Sequence, residues 1–288
     1  MKTVFIAGAT GYLGRYLCAE FQRRGWYVTA LVRDAHRCGA LDADSVIEAQ
    51  ATQPESLNGV MQGADLVVSA LGITRQTDGL SYRDVDYQAN LNLLREAERA
   101  GVSRFAYVHV LNADAMRHVP LVAAKAQFVD ALQASRLAST VIAPSGYFSD
   151  MGEILDMARS GRVWLFGDGS ARINPIHGAD LAKVVADATE HGTDWVDAGG
   201  PETFSQTELA ELAFATLDRA PRITHVPDVL RKIALAVLPR VTPQRVHGPL
   251  QFFLTACAMD MVGTAFGTCR LARSFQDSAM ARNNGGQS

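Results

Sequence analysis

The sequence predicts an α/β fold: a Rossmann-type, doubly wound parallel sheet with a smaller carboxyl-terminal α/β lobe. Two observations carry this. Short apolar runs alternate with helical patterns through the first half of the chain. A glycine-rich turn stands directly between the first run and the first helical pattern.

The runs are Val4–Ala7, Val28–Val32, Val46–Ala49, Leu66–Ala70, Phe105–Val110 and Thr140–Ala143. Most are apolar at nearly every position, as parallel strands buried on both faces are. The segments between them are long enough for crossovers, and Tyr12–Arg24, Gln88–Ala100 and Leu121–Ser135 carry helical periodicity. Residues 1–148 therefore read as a nucleotide-binding domain. Beyond Pro144 the pattern loosens. Helices are expected at Asp150–Ser160, Ala179–Glu190, Asp228–Leu238 and Leu250–Phe266, with strands at Val163–Phe166 and Trp195–Ala198. Ser205 with Glu208 three residues on predicts a capping box opening a helix to about Leu217. Residues 149–281 read as a substrate lobe, of which about 174–200 returns to the first sheet. The polar, glycine-rich 282–288 reads as a disordered tail.

Bulk properties narrow the function. The net charge is -3, with no basic run, which argues against a nucleic-acid partner. The four cysteines are scattered without metal spacing and suit free thiols in a reducing compartment. The opening residues lack the pattern of a signal peptide. No stretch reaches the roughly 18 apolar residues of a spanning helix. A cytoplasmic protein, monomer or homodimer, without a metal is expected.

Gly8-Ala9-Thr10-Gly11-Tyr12-Leu13-Gly14 follows the first strand and opens the first helix. Glycines at 8, 11 and 14 allow a tight turn, close approach of backbone to a pyrophosphate, and tight packing of helix on sheet. The helix start offers amide donors and the positive dipole end to phosphates. Without a ligand the same pattern would be a tight turn only; strand before and helix after favour a dinucleotide. The second strand ends Val32-Arg33-Asp34. An acid at this place usually takes the ribose 2′-hydroxyl of NAD. Arg33, joined by Arg37, would instead pair with a 2′-phosphate, so NADP(H) is favoured over NAD(H). In the opposing reading Asp34 takes the ribose and Arg33 is merely solvated.

These residues resemble the atypical short-chain dehydrogenase/reductase superfamily, in particular its NmrA-like members. The resemblance rests on Gly8–Gly14, Leu31–Arg33, Ala70–Gly72, Asn90–Ala97, Ala100–Phe105, Pro144–Phe148, Pro175–Ala182 and Gly199–Glu202. It implies that Ala70, Leu71 and Gly72 line the adenine and ribose side of the cofactor. Pro144, Gly146 and Phe148 would lie along the nicotinamide. Active members commonly carry Tyr-x-x-x-Lys on a helix, with a serine at the end of the preceding strand; residues four apart share a helix face.

Here the lysine is present as Lys125, but Leu121 stands where the tyrosine would be and His109 where the serine would be. Lys125 shares a face with Leu121, Phe128, Val129 and Leu132, which points it toward the sheet and the cofactor. The bland alternative is a lysine snorkelling to solvent. His109 is either a satisfied core histidine or a proton donor in place of the tyrosine. Asp180 reads as an early-helix acid.

Relatives resembling isoflavone reductases work with a lysine and no such tyrosine. The resemblance therefore implies an NADPH-dependent oxidoreductase acting on a small apolar or aromatic carbonyl, enone or quinone. Two alternatives stand beside it: a non-catalytic NADP(H)-binding regulator, and a sugar-nucleotide epimerase-like enzyme, which the missing tyrosine disfavours. Tyr147, Phe148, Met151, Ile154, Leu155 and Met157 could line an apolar pocket or simply pack a core.

Overall fold

The computed structural model describes residues 1–74 and 79–285. In chain order the elements are β1 (Thr3–Ala7), α1 (Tyr12–Arg23), β2 (Tyr27–Val32), β3 (Ser45–Glu48), β4 (Leu66–Ser69), α2 (Asn90–Ala100), β5 (Arg104–Val108), α3 (Pro120–Gln133) and β6 (Ala138–Pro144). They continue as α4 (Gly152–Arg159), β7 (Val163–Phe166), β8 (Arg172–Ile173), α5 (Gly178–His191), β9 (Trp195–Gly199), β10 (Phe204–Ser205) and α6 (Gln206–Thr216). The last are β11 (Ile223–Val226), α7 (Asp228–Val241), α8 (Gln244–Ala256), β12 (Thr264–Ala265) and α9 (Leu271–Gly285). Two compact units result: Met1–Ala143 with Leu181–Asp197, and Pro144–Asp180 with the chain from Ala198 onward.

The large sheet runs β12-β9-β6-β5-β4-β1-β2-β3. Its β1–β2, β1–β4, β2–β3, β4–β5 and β5–β6 pairings are all parallel. This is the doubly wound sheet the apolar runs predict. From β1 the chain turns one way to β2 and β3, then resumes on the other side with β4. The carboxyl ends of β1 and β4 therefore flank a switch point, where crossovers part and a crevice opens. In the first unit Phe5, Val67, Phe105, Tyr107 and Leu132 are buried in one apolar cluster. The Phe128 ring of α3 closes it, 5.8 Å from Phe105 and 4.6 Å from Tyr107. The first part of the expected helix Gln88–Ala100 differs: α2 begins at Asn90 and continues a π-helical segment, Arg83–Ala89. Segments of this kind often accompany functional sites, because the wider turn re-aims side chains.

The second unit has its own apolar cluster, built from Phe148, Leu155, Leu165, Leu209, Phe214 and Phe275. Met151, Ile154 and Met157 pack against it, so these side chains serve a core. The capping box at α6 is present: Ser205 accepts the Glu208 amide, and the Glu208 carboxylate accepts the Ser205 amide.

The helix expected over Leu250–Phe266 is not formed as such. α8 begins earlier and ends at Ala256. Competing contacts explain the stop. The Asp260 carboxylate accepts the backbone amide and guanidinium of Arg172, and the Met261 amide donates to the Arg172 carbonyl at 2.7 Å. Those bonds hold residues 260–261 extended beside β8. At the other end α9 runs to Gly285, four residues into the stretch read as a tail; residues 286–288 lie outside the described residues.

Asp180 does more than meet a helix dipole. It is buried, and its Oδ2 accepts the amides of Thr268 (2.9 Å) and Cys269 (2.8 Å). Asp180→Ala should orphan both amides and cost about 2–4 kcal/mol, since bonds to a charged group are worth roughly twice neutral ones. Denaturant unfolding would measure this. Asp180→Asn, which keeps one acceptor oxygen, should lose less.

Candidate cofactor and active site

The glycine turn has the geometry of a phosphate cradle. Gly8 sits at φ +80°, a left-handed conformation. A Cβ there would lie 2.9 Å from the Ala70 carbonyl, so the turn after β1 lies directly against the loop after β4. Gly14 is closer still: a Cβ would meet the Gly8 carbonyl oxygen at 2.0 Å. The Gly11 amide donates back to the Gly8 carbonyl, and Arg15 donates to the Gly11 carbonyl as the first helical bond of α1. No side chain caps α1 at Gly11. The first amides of the helix thus lack intrahelical acceptors by position. They open beside Thr10, Gly11 and Tyr12, which are exposed, whereas Leu13 is buried. These features fit a dinucleotide pyrophosphate.

At the end of β2, Arg33 and Arg37 are both exposed. Asp34 folds back on its own turn, its Oδ1 accepting the His36 amide at 2.9 Å. Arg15 of α1 anchors the following loop through the carbonyls of Cys38 and Ala40.

Ala70, Leu71 and Gly72 follow β4. Fully buried Asn90 holds this loop, donating to the carbonyls of Leu71, Val85 and Asp86. Its Oδ1 accepts the Ser69 hydroxyl at 2.5 Å. One side chain thus ties the β4 loop to the π-helical segment, and that segment carries Asp86.

Lys125 points at the sheet. Its Nζ donates to the Tyr107 hydroxyl and to the Val108 carbonyl, both at 3.3 Å, and lies 3.4 Å from Asp86 Oδ1. The last contact is an ion pair that leaves that oxygen without a hydrogen bond. Asp86 Oδ2 accepts the Ile73 amide at 3.4 Å. A Cβ on Gly72 would lie 2.7 Å from Asp86 and 3.0 Å from the Lys125 ammonium, so only a glycine lets the loop sit so close to the pair. Burial pushes the Asp86 carboxyl up to about 6, against the pull of Lys125.

The two other polar rings stay in one protonation state. Tyr107 is fully buried and held well above 10 by burial and by the Asp86 charge. His109 is pushed down to about 3 by burial, with the Lys125 charge adding to the effect. Its Nδ1 has no partner among the described residues. A neutral imidazole is a poor acid, which weakens the expectation of His109 as proton donor. Leu121 is buried in α3.

In the second unit Pro144 ends β6, Gly146 bonds through its carbonyl to the Ile176 amide, and Phe148 is buried against His177, ring centroids 5.5 Å apart. Among the described residues no cluster of His, Cys, Asp or Glu could hold a metal, and no helix is long and apolar enough to cross a membrane.

The cluster brings together two residues that sequence reasoning passed over, Asp86 and Tyr107. Tyr107 was within reach, because alternation on β5 puts it on the same face as His109. Asp86 was not: nothing in Arg83-Asp84-Val85-Asp86 separates it from Asp84, which is exposed and bonded to Ser81.

Residues 8–192 match the model of an NAD(P)H-binding family. The chain belongs to that family. Among curated proteins it is similar to photosystem II assembly factor Ycf39 of Synechocystis, 26% identical over 231 residues, covering 78% of this chain and 70% of that protein. It is also similar to the chloroplastic divinyl chlorophyllide a 8-vinyl-reductase of Oryza sativa subsp. indica, 31% identical over 262 residues, 82% of this chain and 64% of that protein. Among solved structures, the NADPH-dependent quinone oxidoreductase QOR2 of Escherichia coli in complex with NADPH superposes with a TM-score of 0.75 at 19% identity. That match covers 96% of this chain and 99% of the other. The proteins to which this chain is similar thus carry the names of reductases and of an assembly factor.

Proposed function

We propose that this family member is an NADP(H)-dependent oxidoreductase that reduces a small apolar or aromatic carbonyl, enone or quinone. The observation that carries the reading is the Lys125–Asp86 pair held against Gly72 at the carboxyl ends of β4 and β5. A largely buried ammonium whose carboxylate stands at 3.4 Å has donor capacity left for a ribose or a substrate oxygen. Gly8, Thr10, Gly11, Tyr12, Leu13 and Gly14 would hold the pyrophosphate, and Ala70, Leu71 and Gly72 the adenosine side. Pro144, Gly146 and Phe148 would flank the nicotinamide. Bound NADPH supplies a hydride. Lys125 would orient the ribose and polarise the acceptor oxygen, and the proton would come from Lys125, the substrate or water. The names of the quinone oxidoreductase and the vinyl-reductase support a conjugated, apolar acceptor. Loss of NADPH absorbance across a panel of quinones and enones tests the reading; no turnover with any of them would sink it.

NADP(H) is favoured over NAD(H) because Arg33 and Arg37 are exposed at the end of β2 while Asp34 accepts its own turn's amide. Arg33→Ala should weaken NADPH by roughly 10- to 100-fold, the worth of a charge-assisted pair, and leave NADH within about twofold. Isothermal titration with both cofactors checks this, and equal losses would reverse the preference.

A second reading has its own observation. Tyr107 and His109 both lack a proton that exchanges near neutrality. The protein would then bind NADP(H) and report it to a partner, as its similarity to a photosystem II assembly factor suggests. Equal affinity for both redox forms without hydride transfer would select it.

A further inference from the structure

The helix α7 is built inside out. Its one buried side chain is Arg231, whose guanidinium bonds to Asp228 and, at 2.9 Å, to the Leu254 carbonyl of α8. Leu235 and Leu238 are half-buried, but most of its aliphatic residues face solvent. Val229, Ile233, Val237 and Val241 recur every four residues on one stripe and are 45–68% exposed. On α8, Val246, Leu250 and Phe253 repeat the arrangement at helical spacing and are 44–48% exposed. The two helices pack on each other, and the buried His247 donates its Nδ1 proton to the Thr242 carbonyl at 2.9 Å at the corner between them. A folded chain does not ordinarily leave two helical stripes of large aliphatic side chains in water.

The charges around these stripes indicate what covers them. Residues 228–259 carry four cations, Arg231, Lys232, Arg240 and Arg245, and one acid, Asp228. The segment is thus net positive in a chain of net charge -3. Asp228 is engaged with Arg231 and Lys232. Arg240 and Arg245 are exposed and meet no carboxylate among the described residues. Among those residues Arg240 bonds only to the Ala236 carbonyl of its own helix. Aliphatic stripes flanked by arginines without a carboxylate partner match an anionic lipid surface, with acyl chains taking the valines, leucine and isoleucine and headgroup phosphates taking the guanidiniums. A protein interface would be expected to carry more aromatic and Met side chains at its centre, and Phe253 is the only aromatic among the stripe residues named. With 14 and 13 residues, α7 and α8 are too short to span a bilayer and suit a position in its interface.

We infer that the α7–α8 hairpin docks this protein peripherally on an anionic membrane surface. The inference is independent of whether hydride transfer occurs. It is tested by sedimenting the full chain with vesicles rich in phosphatidylglycerol and with pure phosphatidylcholine vesicles. Binding should be confined to the anionic vesicles and weaken as salt rises. Arg240→Ala with Arg245→Ala should weaken it roughly 30-fold, about fivefold per cation lost. Ile233→Asp with Val237→Asp should weaken it at least about tenfold. Both double variants should keep wild-type NADPH affinity, which shows that they fold. No binding to anionic vesicles, or binding that ignores both lipid charge and salt, overturns the inference. So does a dimer in light scattering that Ile233→Asp with Val237→Asp dissolves without any vesicle binding, since the face would then belong to a second copy.

Discussion

Gly14→Ala should abolish measurable NADPH binding and cost about 3 kcal/mol of stability, the upper range for forcing atoms into a packed site. The added Cβ would stand 2.0 Å from the Gly8 carbonyl oxygen and 2.7 Å from the Ala9 Cα, and both are backbone. No rotamer change relieves a backbone clash. Either α1 moves away from the turn or the turn opens, and both movements spoil the alignment of amides that a pyrophosphate requires. Gly25→Ala is the matched control. Gly25 also has positive φ, +78°, but a Cβ there meets nothing within 4 Å. Its loss should be only the conformational cost of about 1 kcal/mol, with NADPH affinity unchanged. Thermal unfolding and isothermal titration of the two variants separate a turn built for a ligand from a turn built only for folding. Wild-type affinity in Gly14→Ala would remove the cofactor role from this turn.

The contrast between these glycines shows why part of the molecule was legible in the sequence. The parallel sheet was readable because each of its central strands is a continuous apolar run, and burial on both faces leaves little other option. The capping box at Ser205 and Glu208 was readable because its chemistry is local, spanning three residues. The direction of Lys125 followed from helix periodicity, with Phe128 and Leu132 on the same face. The π-helical segment before α2 was not readable, since its sequence differs little from an ordinary helix start. With it went Asp86, whose burial depends on Asn90, Gly72 and Lys125 converging from three separate elements. The end of α8 failed for a similar reason. Arg172, 88 residues away, takes Asp260 out of the helix, and apolar periodicity carries no trace of that bond. What the sequence conveys is local chemistry and face; what it withholds are pairings made by topology.

Lys125→Met should lower turnover by roughly 100- to 1,000-fold if the ammonium orients ribose and acceptor as proposed. The same substitution also leaves the Asp86 carboxylate without its cation, so activity alone cannot assign the role. The pH dependence of stability can. Asp86 is raised to about 6 from its ordinary 3.8. Between those values the native state holds a proton that the unfolded chain has released, so stability falls as pH rises, and above about 6 the cost is constant. Without Lys125 the native value should climb further. The falling limb would then extend toward neutrality, costing roughly 1.4 kcal/mol per unit of rise. His109 acts with the opposite sign: depressed to about 3 from 6.5, it contributes stability present above 6.5 and lost as pH falls. In the wild type the two slopes offset each other from about pH 4 to 6, and in Lys125→Met the balance should break on the alkaline side. Adding Asp86→Asn removes the buried charge, so the double variant should regain stability near pH 7 while turnover stays low. Turnover restored together with stability would show that Lys125 serves only to neutralise Asp86. Stability restored without turnover would place its ammonium on cofactor or substrate.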